Sequence, residues 1–312
     1  MESKIEVVIS ILADEIVGGP KLKTAVIVNP VAGRRKSFEK WKEIRQRLID
    51  NQLDFEVFFT SARGMASNLA REIQKAGYSR ILVAGGDGTL HEVINGLDLP
   101  GDIEIGVLPT GTGNDFAREL GITYDKDLAL KLMTKGRIRI IDLGEVNQRK
   151  FINIAGVGFD AQVAHEVNSG FKFVTGTVAY LFALVKVLLT YKSLPVDIFI
   201  ENTRQTEEVL FLSVANAPYI GGGMKIVPQA KIDDGFLHIC LAKKVSRMDI
   251  LRTLPKIYKG THVKHPRVDT LITKEIRISS NSPLVLHADG EIIGTLPAYF
   301  KVLPSILHLL VP

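Results

Sequence analysis

Cysteine is nearly absent from this sequence. The chain has 312 residues and a single cysteine, Cys240, so it cannot form an internal disulfide or a zinc site built from several cysteines. Cys240 lies in the alternating apolar stretch 236–241. Because unpaired cysteine is among the most buried residue types, the pattern predicts a buried strand residue rather than a reactive thiol.

Aromatic residues are also few, at 7% of the chain, and they do not alternate with basic residues as they do in nucleic-acid platforms. We therefore expect no nucleic-acid partner. The N-terminus lacks the basic and apolar regions of a signal peptide, which predicts a cytoplasmic protein. The one long apolar segment, Phe171 to Tyr191, is interrupted by Lys186, so a long helix that is largely buried or partly in contact with lipid is favoured over a membrane span.

What the first half does contain is a regular alternation of short β-branched runs and amphipathic segments. Strands are predicted at 24–28, 55–59, 80–84 and 103–108, and helices at 38–50, 66–76, 90–96 and 115–120. This alternation through short loops is typical of a doubly wound parallel sheet with helices on both faces. We interpret residues 21–145 as the first, α/β domain and residues 1–20 as a lead-in.

The second half has a different pattern. Residues 146–312 contain mostly short strands separated by turn residues, which predicts a mainly antiparallel β domain. A short helix is expected at 251–258. The last apolar segment, 296–311, is expected to pack back on the first domain.

The strongest local motif is Gly85-Gly86-Asp87-Gly88-Thr89, which comes directly after a predicted strand and directly before a helix. Glycines let the backbone approach an anion closely, and the start of a helix presents free N–H groups at the same place. An ordinary strand-to-helix turn is the alternative. Three glycines around an aspartate in this position favour a phosphate site.

Two further loops follow neighbouring strands in the same way. One is Pro109 to Arg118, in which Asn114 is a candidate N-cap and Asp115 suits the first helical turn. The other is Asn29 to Gly33, followed by Arg34, Arg35 and Lys36, which either meet phosphates or form a solvated run of charge. Loops at the carboxyl ends of neighbouring parallel strands line one crevice.

Together these residues resemble the diacylglycerol kinase catalytic family, and most closely its soluble bacterial branch. The motifs IVNPVAG, GGDGTLHEV, PTGTGNDFAREL, IDLG, IDDGFL and LHADGE occur in the family's order and spacing, from about Lys21 to the C-terminus. The resemblance implies a nucleotide-binding α/β domain followed by a β-sandwich lipid domain, with the active site between them. It also implies an ATP-dependent lipid kinase that uses Mg²⁺. One departure is His91, where bacterial relatives often have asparagine.

The resemblance further implies roles for particular residues. The implied ATP contacts are Asn29, Pro30, Val31, Ala32, Gly33, Thr60, Gly85, Gly86, Asp87, Gly88, Thr89, Leu90, His91 and Thr112. A Mg²⁺ ion is implied at the carboxylate of Asp234 and the main-chain carbonyls of Lys231 and Phe236. Glu291 is implied as the proton acceptor.

The carboxylates agree with phosphoryl transfer, which needs phosphate positioning, charge neutralisation and a base. Asp87, Asp115 and Asp142 are expected at or near the carboxyl side of the first domain and could hold a catalytic Mg²⁺ directly or through water. Asp289 and Glu291 give a candidate base and an orienting partner; the sequence ranks Glu291 first and leaves the choice open. Asp234 and Asp289 each precede a glycine. An ordinary turn residue is therefore the alternative to the metal role of Asp234 and to the catalytic role of Asp289.

Two rival functions stay open. A kinase that phosphorylates the ribose of NAD has a similar GGDG loop, and a nucleotide-sensing module could keep the fold without catalysis. Diacylglycerol leads as the acceptor, ahead of a sphingoid base, ceramide, monoacylglycerol or phosphatidylglycerol. We expect peripheral association with the inner membrane face. Phe171 to Tyr191 and Gly221 to Gly223 are candidates for a mobile, lipid-facing wall, and an ordinary core helix and loop are the alternative. An edge strand in either domain leaves a homodimer open.

Overall fold

The computed structural model describes residues 22–33, 35–158, 187, 193–201 and 203–312. The lead-in, Arg34 and most of the expected helix from Phe171 to Tyr191 lie outside the described residues. Cys240 is fully buried in a strand, as predicted. In the described part of the chain, we find no helix with the length and apolar character needed to cross a bilayer.

The first region has the predicted alternation of strands and helices. Its elements are β1 (Thr24–Val28), α1 (Lys36–Asp50), β2 (Glu56–Phe59), α2 (Met65–Lys75), β3 (Arg80–Gly85), α3 (Asp87–Gly96), β4 (Glu104–Pro109), α4 (Asp115–Glu119) and α5 (Leu128–Lys135). Strands β2, β1, β3 and β4 pair in that order, all parallel. The short helix α5 was not predicted.

The second region is mainly antiparallel. Its elements are β5 (Arg137–Val146), β6 (Arg149–Phe151), β7 (Ile154–Gly158), β8 (Leu194–Ile200), β9 (Thr203–Ala215), β10 (Tyr219–Ile220), β11 (Met224–Lys225), β12 (Leu237–Lys243), α6 (Arg247–Tyr258), a 3-10 turn (Thr261–Lys264), β13 (Val268–Thr273), β14 (Glu275–Ser279), β15 (Val285–Ala288), β16 (Glu291–Thr295) and β17 (Ala298–Val311). The predicted fold class, a parallel α/β domain followed by a mainly antiparallel β-sandwich, is confirmed.

The last strand joins the two regions. One end of β17 pairs in parallel with β4, through His308 to Leu310, and the other end pairs with β14. Along most of its length it also pairs antiparallel with β5. Because one strand is hydrogen-bonded into both sheets, the two regions share a continuous hydrogen-bonded frame.

Each region has its own apolar core. On α1, the side chains of Trp41, Ile44 and Leu48 are buried against the parallel sheet, which is the face that the helical spacing predicts. A second core fills the antiparallel region, with Phe151 and Phe300 in edge contact at its centre. The candidate site lies where the loops of the first region meet the turns of the second.

Candidate active site

The three glycine-containing loops converge at the carboxyl edge of the parallel sheet. A Cβ atom on Gly33 would lie 2.4 Å from the carbonyl oxygen of Thr110, and one on Gly111 would lie 2.5 Å from the Cα of Gly86. Real Cβ atoms do not approach other atoms this closely, so these positions need glycine. Gly33 also has φ +59°, a conformation that glycine adopts without strain.

Side chains tie the same loops together. The side-chain amide Nδ2 of Asn29 donates to Thr89 Oγ1 at 3.0 Å. The hydroxyls of Ser37 and Thr110 lie 2.7 Å apart. Gly85 accepts through its carbonyl from the amides of Thr110 and Gly111. The loops after β1, β3 and β4 therefore form one rigid cradle beside the N-terminus of α3, where free backbone N–H groups favour an anion.

The remaining residues of the implied ATP set lie in or beside this cradle. Thr60, which follows the neighbouring strand β2, is buried and its amide donates to the Val28 carbonyl. Val31 and Thr112 are exposed on two of the loops, and a Cβ atom on Gly88 would meet open space. The cradle is thus open on the side of Gly88.

Asn114 occupies the N-cap position of α4, but it does not act as the predicted cap. Its side chain accepts no hydrogen bond from the helix and donates to the carbonyls of Pro109 and Gly111. The cap comes from the neighbouring loop, because the Phe116 amide donates to the Asp87 carboxylate at 3.0 Å. Asp87 therefore fixes α4 to the Gly85–Thr89 loop.

Asp87 and Asp115 form a buried pair of carboxylates. The Asp115 carboxylate accepts from the amides of Gly222 and Gly223 at 2.7 Å, so the β10–β11 loop of the second region closes on it. Burial, and then the nearby Asp87, raise the pKa of Asp115 to about 6. Burial also raises the pKa of Asp87. Two buried acids that repel each other are suited to a divalent cation between them.

Asp289 lies at the turn between β15 and β16 and is surrounded by donors. Its carboxylate accepts from the amides of Ile152, Asn153 and Ile154 at 2.9–3.1 Å, and from His91 Nδ1 at 2.9 Å. Asp289 has φ +49°, which the Asp-Gly turn predicted from the sequence requires. With four donors on its two oxygens, Asp289 is suited to holding the turn rather than to taking a proton.

Glu291 is held by basic side chains from both regions. Its carboxylate lies 3.4 Å from Arg63 Nη2 and 3.7 Å from Arg149 Nη2, with His91 Nε2 at 4.0 Å. Arg149 Nε also donates to His91 Nε2 at 3.3 Å. His91 thus uses Nδ1 as donor to Asp289 and Nε2 as acceptor, a tautomer fixed by its two partners.

Helix α3 connects the cradle to Glu291. Asp87 begins the helix and His91 lies four residues later, so the two side chains share one face about one turn apart. His91 contacts both Asp289 and Glu291, and Asp289 is close enough to raise the pKa of Asp87. His91, one helical turn from the start of α3, therefore connects the cradle to the turn that carries Glu291.

The sequence did not single out Arg63, Arg149 or Glu92 as site residues. Glu92 accepts from the amides of Gly64 and Ala66, which fixes the loop carrying Arg63 at the start of α2. The only sequence signal for Arg63 is its position three residues after Thr60. No sequence pattern indicated Arg149 as a site residue, because its contact with Glu291 depends on the packing of β6 against the β15–β16 turn.

The other predicted metal residues lie apart from the cradle. Asp142 is buried, and its two oxygens accept from the amides of Gly235 and Ser305 at 2.7 Å. It thereby holds the turn that contains Lys231, Asp234 and Phe236. Asp234 itself contacts His238 Nε2 at 2.9 Å and accepts from the Phe236 amide.

Both predicted Mg²⁺ sites offer hard oxygen donors. No cluster of three or more His, Cys, Asp or Glu side chains suited to a metal occurs among the described residues. A carboxylate combined with carbonyl oxygens and water is nonetheless a donor set that Mg²⁺ accepts. The turn 231–236 provides that combination, and Asp87 with Asp115 provides two carboxylates, so the residues fit the ion at both places.

Comparison with known proteins identifies the family. Residues 23–146 match the family model described as "Diacylglycerol kinase catalytic domain", and residues 153–311 match "YegS C-terminal NAD kinase beta sandwich-like domain". The diacylglycerol kinase of Staphylococcus aureus (strain MRSA252) is 34% identical over 295 residues, covering 93% of this chain and 92% of that protein. The diacylglycerol kinase of Staphylococcus saprophyticus is 31% identical over 293 residues, covering 93% and 95%.

Solved structures agree with this fold. A diacylglycerol kinase from Bacillus anthracis str. Sterne superposes with a TM-score of 0.70 at 23% identity, covering 92% of this chain and 96% of that one. A second crystal structure from the same strain gives a TM-score of 0.77 at 26% identity, covering 95% and 98%. The family model, the relatives and the cradle geometry lead to one conclusion, that this chain belongs to the diacylglycerol kinase family.

Proposed function

We propose that this chain is an ATP-dependent lipid kinase that transfers the γ-phosphoryl group of ATP to the free hydroxyl of diacylglycerol, giving phosphatidic acid and ADP. The observation that carries the proposal is the arrangement around α3. This helix begins in an anion cradle at Gly85–Thr89 and, one turn later, contacts the turn that bears Glu291. This arrangement supports a phosphate site and a base at adjacent points of one crevice, which phosphoryl transfer requires.

In this proposal the triphosphate lies in the cradle formed by the loops after β1, β3 and β4. Backbone N–H groups of Gly86 to Thr89 would bind phosphate oxygens, and the Asn29–Thr89 hydrogen bond keeps both loops in place. Thr60, Val31 and Thr112 lie around the cradle, where they would contact the rest of the nucleotide. The positive end of α3 favours the negative charge of the phosphates.

Asp87 and Asp115 would hold a Mg²⁺ ion together with phosphate oxygens, while Asp234 and the carbonyls of Lys231 and Phe236 would hold a second ion that stabilises the turn. When bound, Mg²⁺ neutralises charge on the transferring phosphoryl group. Asp142 supports the second site through its bond to Gly235. Asp115 remains anchored by the two glycine amides of the β10–β11 loop.

Glu291 takes the proton of the attacking hydroxyl. The hydroxyl oxygen forms a bond to the γ-phosphorus, the bond to the bridging oxygen breaks, and ADP leaves. Arg149 orients the carboxylate, His91 positions Arg149 by accepting from its Nε, and Arg63 approaches Glu291 from the first region. Asp289 acts as a positioning residue, because its oxygens are occupied by three amides and His91.

A transfer assay with labelled ATP tests the proposal. The panel contains vesicles with diacylglycerol, monoacylglycerol, ceramide, a sphingoid base or phosphatidylglycerol, and NAD in solution, each with and without Mg²⁺. We expect label in phosphatidic acid only when diacylglycerol and Mg²⁺ are both present. Label in NAD would support the rival kinase, and ATP binding without transfer to any acceptor would support a nucleotide-sensing module.

The proposal places the protein in the cytoplasm, at the inner face of the membrane, because its acceptor is a membrane lipid and its donor is soluble.

A further inference from the structure

Helix α6 has apolar side chains on two opposite sides. On the inner side, Ile250, Leu254 and Ile257 pack against the third apolar cluster of the protein. On the outer side, Met248, Leu251 and Tyr258 are 55%, 46% and 51% exposed. An amphipathic surface helix needs only one apolar face to pack on a core, so core packing explains the inner side and leaves the outer one unexplained.

The outer side chains form a continuous stripe. Positions 248, 251, 255 and 258 are spaced by three and four residues, so they lie on one face of the helix. Pro255, which is also exposed, fills the gap between Leu251 and Tyr258. We call Met248, Leu251, Pro255 and Tyr258 the outer stripe.

Basic residues border the outer stripe. From 247 to 264 the sequence has five Lys or Arg residues and one acidic residue, Asp249; the basic residues are Arg247, Arg252, Lys256, Lys259 and Lys264. Ser246 Oγ donates to the Asp249 carboxylate at 2.7 Å, so this acid is part of the N-cap, and five basic residues less one acid leave an excess of four positive charges. Lys243 and Lys244, just before the helix, are paired with Glu207 and Glu208 and add little to this excess. The surface around the outer stripe is therefore strongly positive.

This combination identifies the kind of partner. A second copy of the chain would bring the same positive charges against this face, and nucleic acid would bind the lysines without covering Met248 and Leu251. An anionic bilayer would contact both the basic rim and the outer stripe, because lipid phosphates attract the basic residues while the apolar residues enter the acyl boundary. Tyr258 has the ring and hydroxyl that favour the interface between these layers.

The location of α6 fits a membrane enzyme. The helix packs against β11, and the loop before β11 donates the amides of Gly222 and Gly223 to Asp115 in the candidate site. A bilayer against α6 would thus lie next to the crevice. We infer that the outer stripe and its basic rim dock the protein on an anionic lipid bilayer. This inference rests on the proposed function, to which it adds the docking surface.

Vesicle sedimentation with matched variants tests the inference. The protein is mixed with vesicles of phosphatidylcholine alone or of phosphatidylcholine with phosphatidylglycerol. Leu251→Glu is compared with Ile272→Glu, a control that places the same charge on another exposed apolar side chain, 59% exposed on β13. We expect Leu251→Glu to lower binding to the anionic vesicles at least tenfold and Ile272→Glu to change it less than twofold.

A second variant tests the charge. Lys256→Gln with Lys259→Gln should weaken binding to anionic vesicles about fivefold for each charge removed and leave the weak binding to phosphatidylcholine unchanged. Circular dichroism and the melting temperature establish that each variant is folded. Equal binding of Leu251→Glu and the unaltered protein would overturn the inference. So would a dimer that the Leu251→Glu variant loses while vesicle binding persists, since the face would then belong to a second copy.

Turnover separates this inference from the proposed function. With a short-chain diacylglycerol that dissolves in water, Leu251→Glu should keep the full rate while its rate on vesicle-borne diacylglycerol falls. If the unaltered protein phosphorylates no lipid at all, the kinase proposal fails and the sedimentation result still decides the docking surface. An equal loss of turnover on both substrates would place Leu251 in the support of the site and contradict a docking role.

Discussion

Two pairs of acidic residues lie at the crevice, Asp87 with Asp115 and Asp289 with Glu291, and the two pairs differ in the positive charge around them. Burial, and then the nearby Asp87, raise the pKa of Asp115, while burial, with a smaller contribution from Asp289, raises the pKa of Asp87. Asp289 and Glu291 lie among basic side chains and backbone amides, including Arg63 and Arg149. Arg118, 3.8 Å from Asp115, does not offset the effect of burial on that pair, whereas Glu291 has two arginines beside it.

The difference indicates separate tasks. A carboxylate pair that is costly to ionise in the protein alone gains most from a bound cation, so it is suited to Mg²⁺ and nucleotide. A carboxylate that already lies beside guanidinium groups has its direction set before a substrate arrives. Such orientation in advance is what a positioned base needs.

The largest expected effect tests the base. Glu291→Gln keeps the shape of the side chain but cannot accept the hydroxyl proton, so kcat should fall by about a thousandfold, within the range for loss of a general base. The melting temperature should change little, because Gln can still accept from Arg149. Kinetics on diacylglycerol vesicles give the result.

The matched control is Glu275→Gln, which makes the same change on β14 far from the cradle and should keep full turnover. A Glu291→Gln variant with normal kcat would remove Glu291 from the base role.

The next effect concerns stability. Asp289→Asn leaves one oxygen for a set of three amides and His91, so at least one buried donor loses its acceptor. We expect the free energy of unfolding to fall by about 3 kcal/mol, because an unsatisfied buried donor and a lost charge both contribute. Urea denaturation measures this value.

Asp269→Asn is the control, since that carboxylate pairs with Lys243 at the surface and its loss should cost less than about 1 kcal/mol. If both variants unfold at the same urea concentration, Asp289 is not the anchor of the turn.

The smallest effect is a pH dependence. The pKa of Asp115 is raised from 3.8 to about 6 in the folded protein, so its stabilising contribution is complete below pH 4 and is lost as pH rises through 6. Compared with Asp115→Asn in EDTA, the unaltered protein should lose about 2 kcal/mol of unfolding free energy between pH 4 and 7.

Parallel curves for the two proteins over that pH range would show that Asp115 is not strained by burial. Addition of Mg²⁺ at pH 7 should restore part of the difference in the unaltered protein alone.

Much of the first region could be predicted from short-range patterns. The strands at 24–28 and 80–84 were correct within a residue or two, because buried parallel strands are continuous apolar runs. Helix α3 was predicted to begin at Leu90, but it begins at Asp87, since the glycine loop passes directly into its first turn. Asn114 lies at the predicted N-cap position of α4, but its side chain makes no capping hydrogen bond, because Asp87 from another loop accepts from the Phe116 amide.

The sequence by itself determined the fold class and the glycine-containing loops of the cradle, since alternation, glycine and turn chemistry are local properties of the chain. Only the tertiary structure decided that Asp289 is an anchor, that Arg63 and Arg149 hold Glu291, and that Asp142 supports a turn. The His91–Asp289 contact joins residues 198 positions apart. Such contacts arise from the packing of whole elements, and no spacing within one element encodes them.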